Sequence, residues 1–249
     1  MWCLTQYPPP STTSTTDGET WVWERELKLV EKMLDLDPRN FHGWNCRRAI
    51  VEHLALSILS SHSSATATTT ASFPALLSHP CVLESDGLKS KLLALAEKEL
   101  RYALKKIESN FSNFSAWHQR SKLLPHLWTA KGLGTEQRDA EIDAELELVK
   151  QAMYTDPSDQ SVWFYHRWLV ELLSPSHTQQ EQGEPTSARQ IKVLEEEVGV
   201  IEELFELEPD SKWCAISLAH YHTLLAGLYG VDVEKGERAR RGRKSCWNS

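Results

Sequence analysis

The chain has 249 residues, 41% hydrophobic and 25% charged, with a net charge of −8 and a pI near 5.7. That is a soluble composition with enough chain to bury a substantial core, and its acidic balance excludes a general nucleic-acid binder, because the phosphate backbone rewards a basic face. No apolar run approaches the ~20 residues needed to span a bilayer; five scattered cysteines, never spaced Cys-x-x-Cys, exclude a disulfide framework or zinc ribbon and point to a reducing cytoplasm.

The chain opens on Met1-Trp2-Cys3-Leu4, which lacks the basic start and long apolar stretch of a secretory leader. It reads like the tail of a helix, as Arg167-Trp168-Leu169 does. A Pro/Ser/Thr-rich loop from Tyr7 to Gly18 follows. Residues 1–20 are therefore expected to be the remnant of a preceding repeat plus a loop, and the chain is expected to begin inside a repeat.

The helical-repeat domain is expected over residues 21–229. Its first unit, residues 24–56, carries Leu27, Val30 and Leu34 on one helical face. Asp37-Pro38 ends that helix, since proline lacks a donor and restrains the residue before it. Asn40 is placed to cap a second helix, in which Trp44 anchors the hairpin and Arg47-Arg48 follow one turn later. Residues 57–90 include the run Ser60 to Thr70, built from Ser, Thr, Ala and His, and are expected to be a disordered or mobile low-complexity insert.

The second unit, residues 91–128, repeats the pattern with Glu99-Leu100, Ala103, Ile107, Asn113-Phe114, Trp117 and Arg120. Asn110-Phe-Ser112 and Asn113-Phe-Ser115 match a glycosylation acceptor but read as cap chemistry. A linker is expected over Thr129–Thr135. The third unit, residues 137–173, has Glu145-Leu146, Val149, Met153, Asp156-Pro157, Asp159, Trp163, Tyr165 and His166-Arg167. After a linker over Ser174–Ser187 comes a degenerate fourth unit, residues 188–229, with Glu197-Val198, Glu208-Pro209 and an anchor at Trp213, which makes its span shorter by two positions. Residues 230–249 form a basic tail, expected to be disordered. In the first three units a Glu-Leu pair precedes the tryptophan at one fixed interval, from Glu26 to Trp44, Glu99 to Trp117 and Glu145 to Trp163. Fixed-spacing self-similarity of that kind means an all-α stack of helix hairpins, whose function lies on surfaces rather than in a deep pocket.

The unit Glu-Leu…Asp-Pro-x-Asn-Phe-x-x-Trp-x-x-Arg-Arg resembles the repeat of protein prenyltransferase alpha subunits. The stretches Asn110–Pro125 and Thr155–Leu169 are similar to the forms found in alpha subunits of Rab geranylgeranyltransferases. The resemblance implies an alpha–alpha superhelix, a crescent wrapped around a beta subunit that carries the zinc and the lipid pocket. No cofactor is expected on this chain. It further implies transfer of geranylgeranyl from its diphosphate, bound mainly by the partner, to C-terminal cysteines of Rab GTPases presented by an escort protein. Against that pattern the chain is expected to lack the family's first repeat and most of its second. The alternatives are the alpha subunit shared by farnesyltransferase and geranylgeranyltransferase type I, or a non-enzymatic helical scaffold.

The resemblance also assigns candidate roles. Trp44, Trp117, Trp163 and Trp213 are read as repeat anchors. Asn40, Arg47, Arg48, His118, Arg120, Tyr165, His166 and Arg167 are read as a face toward the beta subunit, against the plainer reading of the arginines as salt bridges between repeats. Arg39 stands where farnesyl-transferring relatives place a lysine on the isoprenoid diphosphate; a solvated turn residue is its plainer reading. The histidines His118, His166, His220 and His222 lack ligand spacing, so no metal site is expected.

Overall fold

The Glu-Leu…Trp unit folds as a helix hairpin. The computed structural model describes residues 15–60, 72–173 and 186–229; the expected tail over 230–249 and positions 1–14 lie outside them. Among the described residues there are nine α-helices and no strand, the all-α class of helix-hairpin repeats that the periodicity requires. Contacts divide the chain after Arg138 into two compact units.

In the first unit, α1 (Thr15–Leu36) pairs with α2 (Phe41–Ser60), and α4 (Asp86–Ser109) with α5 (Phe114–Lys131). The apolar faces read from the sequence are the buried ones: Leu27, Val30 and Leu34 on α1, and Ala103 and Ile107 on α4. Gly43 lets α2 lie close to α1, because a Cβ there would sit 2.8 Å from Leu34 Cδ2 and Met33 Cε. α5 closes on Gly132 in the left-handed region (φ 69°), where Gly132 N–H and Leu133 N–H donate to the carbonyls of Thr129 and Trp128. The expected linker Thr129–Thr135 is accordingly shorter, Gly132 to Gly134. At the other end α1 already begins at Thr15, inside the expected loop.

The expected mobile insert, residues 57–90, is corrected at both ends. α2 continues to Ser60, and a 3-10 turn (Ala75–Ser78), a short α3 (Pro80–Leu83) and the start of α4 fill residues 75–90. Leu76, Leu77 and Val82 are fully buried against Ala55, Leu59, Leu88, Leu92, Leu123 and Leu127. Pro80 sits at the first position of α3, where its missing donor is harmless. A handful of aliphatic side chains suffices to fold such a segment, and they are diluted in the sequence by the Ser/Thr-rich run beside them. Residues 61–71 of that insert lie outside the described residues.

In the second unit, α7 (Gln160–Leu172) is tied to α6 (Thr135–Thr155) by the Tyr165 hydroxyl, which donates to Glu145 at 2.7 Å. α8 (Thr186–Leu207) packs with α9 (Lys212–Leu228). Arg189 on α8 reaches Asp139 and Asp143 on α6, both at 2.9 Å.

Candidate functional site

Each second helix starts on a side-chain cap. Asn40 accepts from Gly43 N–H at 2.9 Å, Asn113 from Ala116 N–H at 3.2 Å and Asp159 from Ser161 N–H at 2.7 Å. The anchor tryptophan follows four residues later, and its indole N–H turns back onto the loop before the cap. Trp44 donates to the Pro38 carbonyl at 2.8 Å, Trp117 to Phe111 at 2.7 Å and Trp163 to Pro157 at 3.0 Å. A buried indole thereby satisfies both its apolar body and its polar edge. Trp44, Trp117 and Trp163 are at most 2% exposed.

Trp213 does not share that role. The cap of α9 is Ser211, which accepts from Cys214 N–H. Four residues on is Ala215, and the interval from Glu197 to Ala215 equals that from Glu26 to Trp44 and its counterparts in the other copies. The fourth repeat therefore keeps the common frame, with alanine in the anchor position. Trp213 is half-buried, packed edge-on to Phe164 at 5.6 Å, with the Lys212 ammonium 5.2 Å from its ring.

The same spacing explains the glutamates and arginines. Three residues past the anchor stand Arg47, Arg120, His166 and, in the fourth copy, Leu218. Arg47 is fully buried and forms a fork to Glu99, the glutamate opening the next repeat, with Nε and Nη2 each 2.7 Å from a carboxylate oxygen. Glu31 lies 3.3 Å away, and the guanidinium covers the Tyr102 ring at 3.3 Å. Burial, opposed by the nearby Arg47 charge, raises the Tyr102 hydroxyl to about 12. In the second unit His166 plays the part of Arg47. Its Nε2 is 2.7 Å from Glu197 and its Nδ1 2.6 Å from the Tyr221 hydroxyl. Both ring nitrogens of His166 thus have a partner, one in the carboxylate of the next repeat and one in a phenol of α9. Burial pushes the Tyr221 phenol up.

A second tie accompanies the first at both junctions. Asn113 Nδ2 donates to the Pro38 carbonyl at 2.8 Å, and the Ser211 hydroxyl donates to the Pro157 carbonyl at 3.2 Å. One proline carbonyl thus takes its own repeat's indole and the next repeat's cap. Lys106 adds a bond of 2.8 Å to the Leu34 carbonyl at the end of α1, and an ion pair of 2.6 Å to Asp35.

Arg47, Arg120, Tyr165 and His166, read from the sequence as facing a partner, are thus inside, none more than 8% exposed. Arg47 makes a salt bridge to the next repeat, and Tyr165 and His166 hydrogen-bond to Glu145, Glu197 and Tyr221 inside the second unit. The side chains left to meet another molecule form a different stripe. On α2 it runs through Phe41, Asn45 and Arg48, and on α5 through Phe114 and His118, each pair one helical turn apart. Phe41 is 62% and Phe114 52% exposed. Arg48 is half-buried; its Nη2 donates to Asn45, while Nη1 is shielded from water with no partner among the described residues. Burial lowers the Arg48 and His118 pKa values, and Arg48 and then Lys122 lower His118 further, so the α2 and α5 stripes adjoin. The Phe114 and His118 rings stack at 6.1 Å. Asn40 is half-buried at the head of the α2 stripe, and Arg39 beside it is exposed. In the second unit the matching positions hold Phe164, 47% exposed, and half-buried Arg167. No three His, Cys, Asp or Glu side chains converge as a metal site among the described residues.

The profile of the protein prenyltransferase alpha subunit repeat matches residues 23–54, 96–127 and 142–173, each window placing its anchor tryptophan at the same position. The chain is 32% identical over 209 residues to a fission yeast (Schizosaccharomyces pombe) protein named geranylgeranyl transferase type-2 subunit alpha, covering 83% of this chain and 51% of the relative. Proteins of that name from Homo sapiens and Saccharomyces cerevisiae are 35% identical over 176 residues and 32% over 171, covering 70% and 69% of this chain. This chain covers 22% and 39% of those two, so it spans about half the fission yeast relative's length and less of the others.

Proposed function

The chain belongs to the protein prenyltransferase alpha-subunit repeat family, and we propose that it serves as the alpha subunit of a Rab geranylgeranyltransferase. In that reading it pairs with a beta subunit that binds geranylgeranyl diphosphate and the zinc ion. The pair acts in the cytoplasm on Rab proteins presented by an escort protein. The relatives' shared name supports the enzyme class. No described helix is long and apolar enough to cross a membrane.

One structural observation carries the reading. The repeat frame uses Trp44, Trp117 and Trp163, the glutamates Glu99, Glu145 and Glu197, and Arg47 and His166 internally, yet leaves an edge of the second helices uncovered. On that edge two large aromatic rings, Phe41 and Phe114, flank a half-buried Arg48 with an unpaired nitrogen. Aromatic and arginine side chains of this kind are the usual anchors of a protein interface. The edge also holds Asn40 and His118, and the position of the second unit that matches Arg48 is Arg167.

The reaction breaks the bond between the C1 carbon of the geranylgeranyl group and its diphosphate oxygen and makes a bond to a Rab cysteine sulfur. The diphosphate leaves with the electron pair, so its negative charge grows toward the transition state, and a fixed cation beside it favours transfer. Arg39, exposed at the head of α2, is the proposed cation of this chain. The zinc ion, when bound by the partner, supplies a cysteine thiolate as nucleophile. The test is single-turnover transfer with labelled geranylgeranyl diphosphate, a Rab and its escort, using this chain assembled with a Rab-type or a farnesyltransferase beta subunit. Transfer with the Rab-type partner alone supports the proposal; transfer only with the farnesyltransferase partner assigns the chain to the shared alpha subunit.

A further inference from the structure

A cation taken out of water needs an anion or a set of acceptors in exchange. Three cations here gain carboxylates. Buried Arg47 forks onto Glu99 and reaches Glu31, buried Lys106 reaches Asp35, and half-buried Arg189 meets Asp139 and Asp143. Arg48 departs from that pattern. It is half-buried, and burial alone lowers its pKa. Its Nη2 donates to the amide oxygen of exposed Asn45, a neutral acceptor. Its Nη1 is covered and has no partner among the described residues. Glu52, one turn further along α2, makes no ion pair with it. A covered donor without an acceptor is costly to keep.

The repeat frame does not call for this arginine. Four residues past the anchor position stand Arg48, Ser121, Arg167 and Ala219, and hairpins with serine or alanine there close as the first one does. Ser121 simply bonds the His118 carbonyl. The surroundings of Arg48 are those of a contact patch instead. Exposed Phe41 stands two turns back on α2, and exposed Phe114 stacks with His118 on α5. His118 is held below its ordinary value by burial and then by the Arg48 and Lys122 charges, so at neutral pH its ring offers a hydrogen bond rather than a second charge. Lys122 is exposed, and its charge is screened by water. One half-buried charge is left among aromatic rings.

We propose, on the reading of this edge as the beta-subunit face, that Arg48 receives a single aspartate or glutamate carboxylate of the beta subunit, set among apolar side chains that cover Phe41 and Phe114. The chemistry selects that occupant. One carboxylate matches one unsatisfied guanidinium, whereas a chain of net charge −8 repels a polyphosphate or a nucleic acid. Two exposed phenyl rings call for apolar contact, which a free anion does not bring. Because Nη1 is covered in the free chain, the guanidinium turns outward about its own side-chain bonds and gives up the Asn45 bond as it does so. A neutral acceptor is exchanged for a charged one where the partner excludes water, and there a charge-assisted bond is strong.

The experiment titrates a Rab-type beta subunit with the full chain, Arg48→Met and Arg48→Glu by calorimetry. Arg48→Glu is then titrated against a panel of beta-subunit variants, each with one surface aspartate or glutamate changed to lysine. Arg48→Met keeps most of the side chain and removes the charge; it should weaken binding by about tenfold or more, and Arg48→Glu further. One member of the panel should bind Arg48→Glu at least about tenfold more tightly than the unaltered beta subunit does, and should bind the unaltered chain more weakly. A role for Arg48 in folding alone would give no such reciprocal exchange. Equal affinity of Arg48→Met and the unaltered chain, with Phe114→Asp still weakened, overturns the carboxylate and leaves the docking edge standing. Weakening by Arg48→Met with no member of the panel rescuing Arg48→Glu also overturns it, because the acceptor would then be uncharged. No binding by the unaltered chain removes the docking edge and the carboxylate together.

Discussion

The fork between Arg47 and Glu99 gives the sharpest test of how the repeats are held together. Both side chains are fully buried, with two bonds of 2.7 Å between them, and the guanidinium also covers Tyr102. Removing one partner leaves an uncompensated charge in the interior. Arg47→Met is therefore expected to cost about 3–5 kcal/mol, with Glu99→Leu comparable. The double variant should recover most of that loss, since a buried pair replaced on both sides is close to neutral. A further ~1–2 kcal/mol stays lost with the cation over Tyr102. Equilibrium urea unfolding of the full chain and the three variants, followed by tryptophan fluorescence, gives the coupling energy directly. Losses below about 1 kcal/mol in the single variants, or strictly additive losses in the double, would show that the fork does not hold the junction and that the reasoning from burial is wrong.

Other expectations follow from the same geometry. Trp163→Ala should destabilise the chain by about 3–5 kcal/mol and Trp213→Ala by about 1 kcal/mol, because only the first fills an anchor site; equal shifts in denaturation midpoint would restore Trp213 as an anchor. Burial, helped by neighbouring cations at His118, His126 and His220, holds the imidazoles of those three and of His222 below their ordinary value of 6.5. The unfolded chain then binds more protons than the folded one as pH falls through 6.5, so stability should drop between pH 7.5 and 5.5, and a flat midpoint across that window would contradict the burial of these rings. Arg39→Ala in an assembled enzyme should slow single-turnover transfer by about 10- to 100-fold, with lipid affinity less affected and part of the rate restored in Arg39→Lys; unchanged rates would return Arg39 to an exposed turn residue.

The hairpins and their caps are legible in the sequence because tryptophan, Asp-Pro and the apolar i, i+3, i+7 triads recur at fixed spacing, and each reports local geometry. The burial of Arg47 and His166 is harder to see, since an arginine one turn past a tryptophan fits a surface stripe as well as an internal one. The decisive signal is present nonetheless: a glutamate stands at one fixed interval before each anchor, and Glu99 and Glu197 each have a hydrogen-bond donor, Arg47 or His166, at one fixed place in the preceding repeat. A donor and a carboxylate held in one repeat frame point to a pair between repeats. In the fourth repeat the bulkiest residue, Trp213, is a false guide to the anchor; aligning on the cap, Ser211, gives Ala215 and the common spacing. The folded residues 72–90 are hidden by composition, because Leu76, Leu77 and Val82 lie next to a Ser/Thr-rich run that dominates any window average. Which edge of the second helices is left bare depends on contacts between hairpins far apart in sequence, and no local pattern reports it.

If this edge docks a prenyltransferase beta subunit, titration of a purified Rab-type beta subunit with the full chain and with its Phe114→Asp and Arg48→Glu variants, followed by calorimetry, should separate the three. A one-to-one complex is expected that each variant weakens by at least about tenfold, with thermal midpoints close to that of the unaltered chain. No binding by the unaltered chain, or equal affinity for all three proteins, would contradict it.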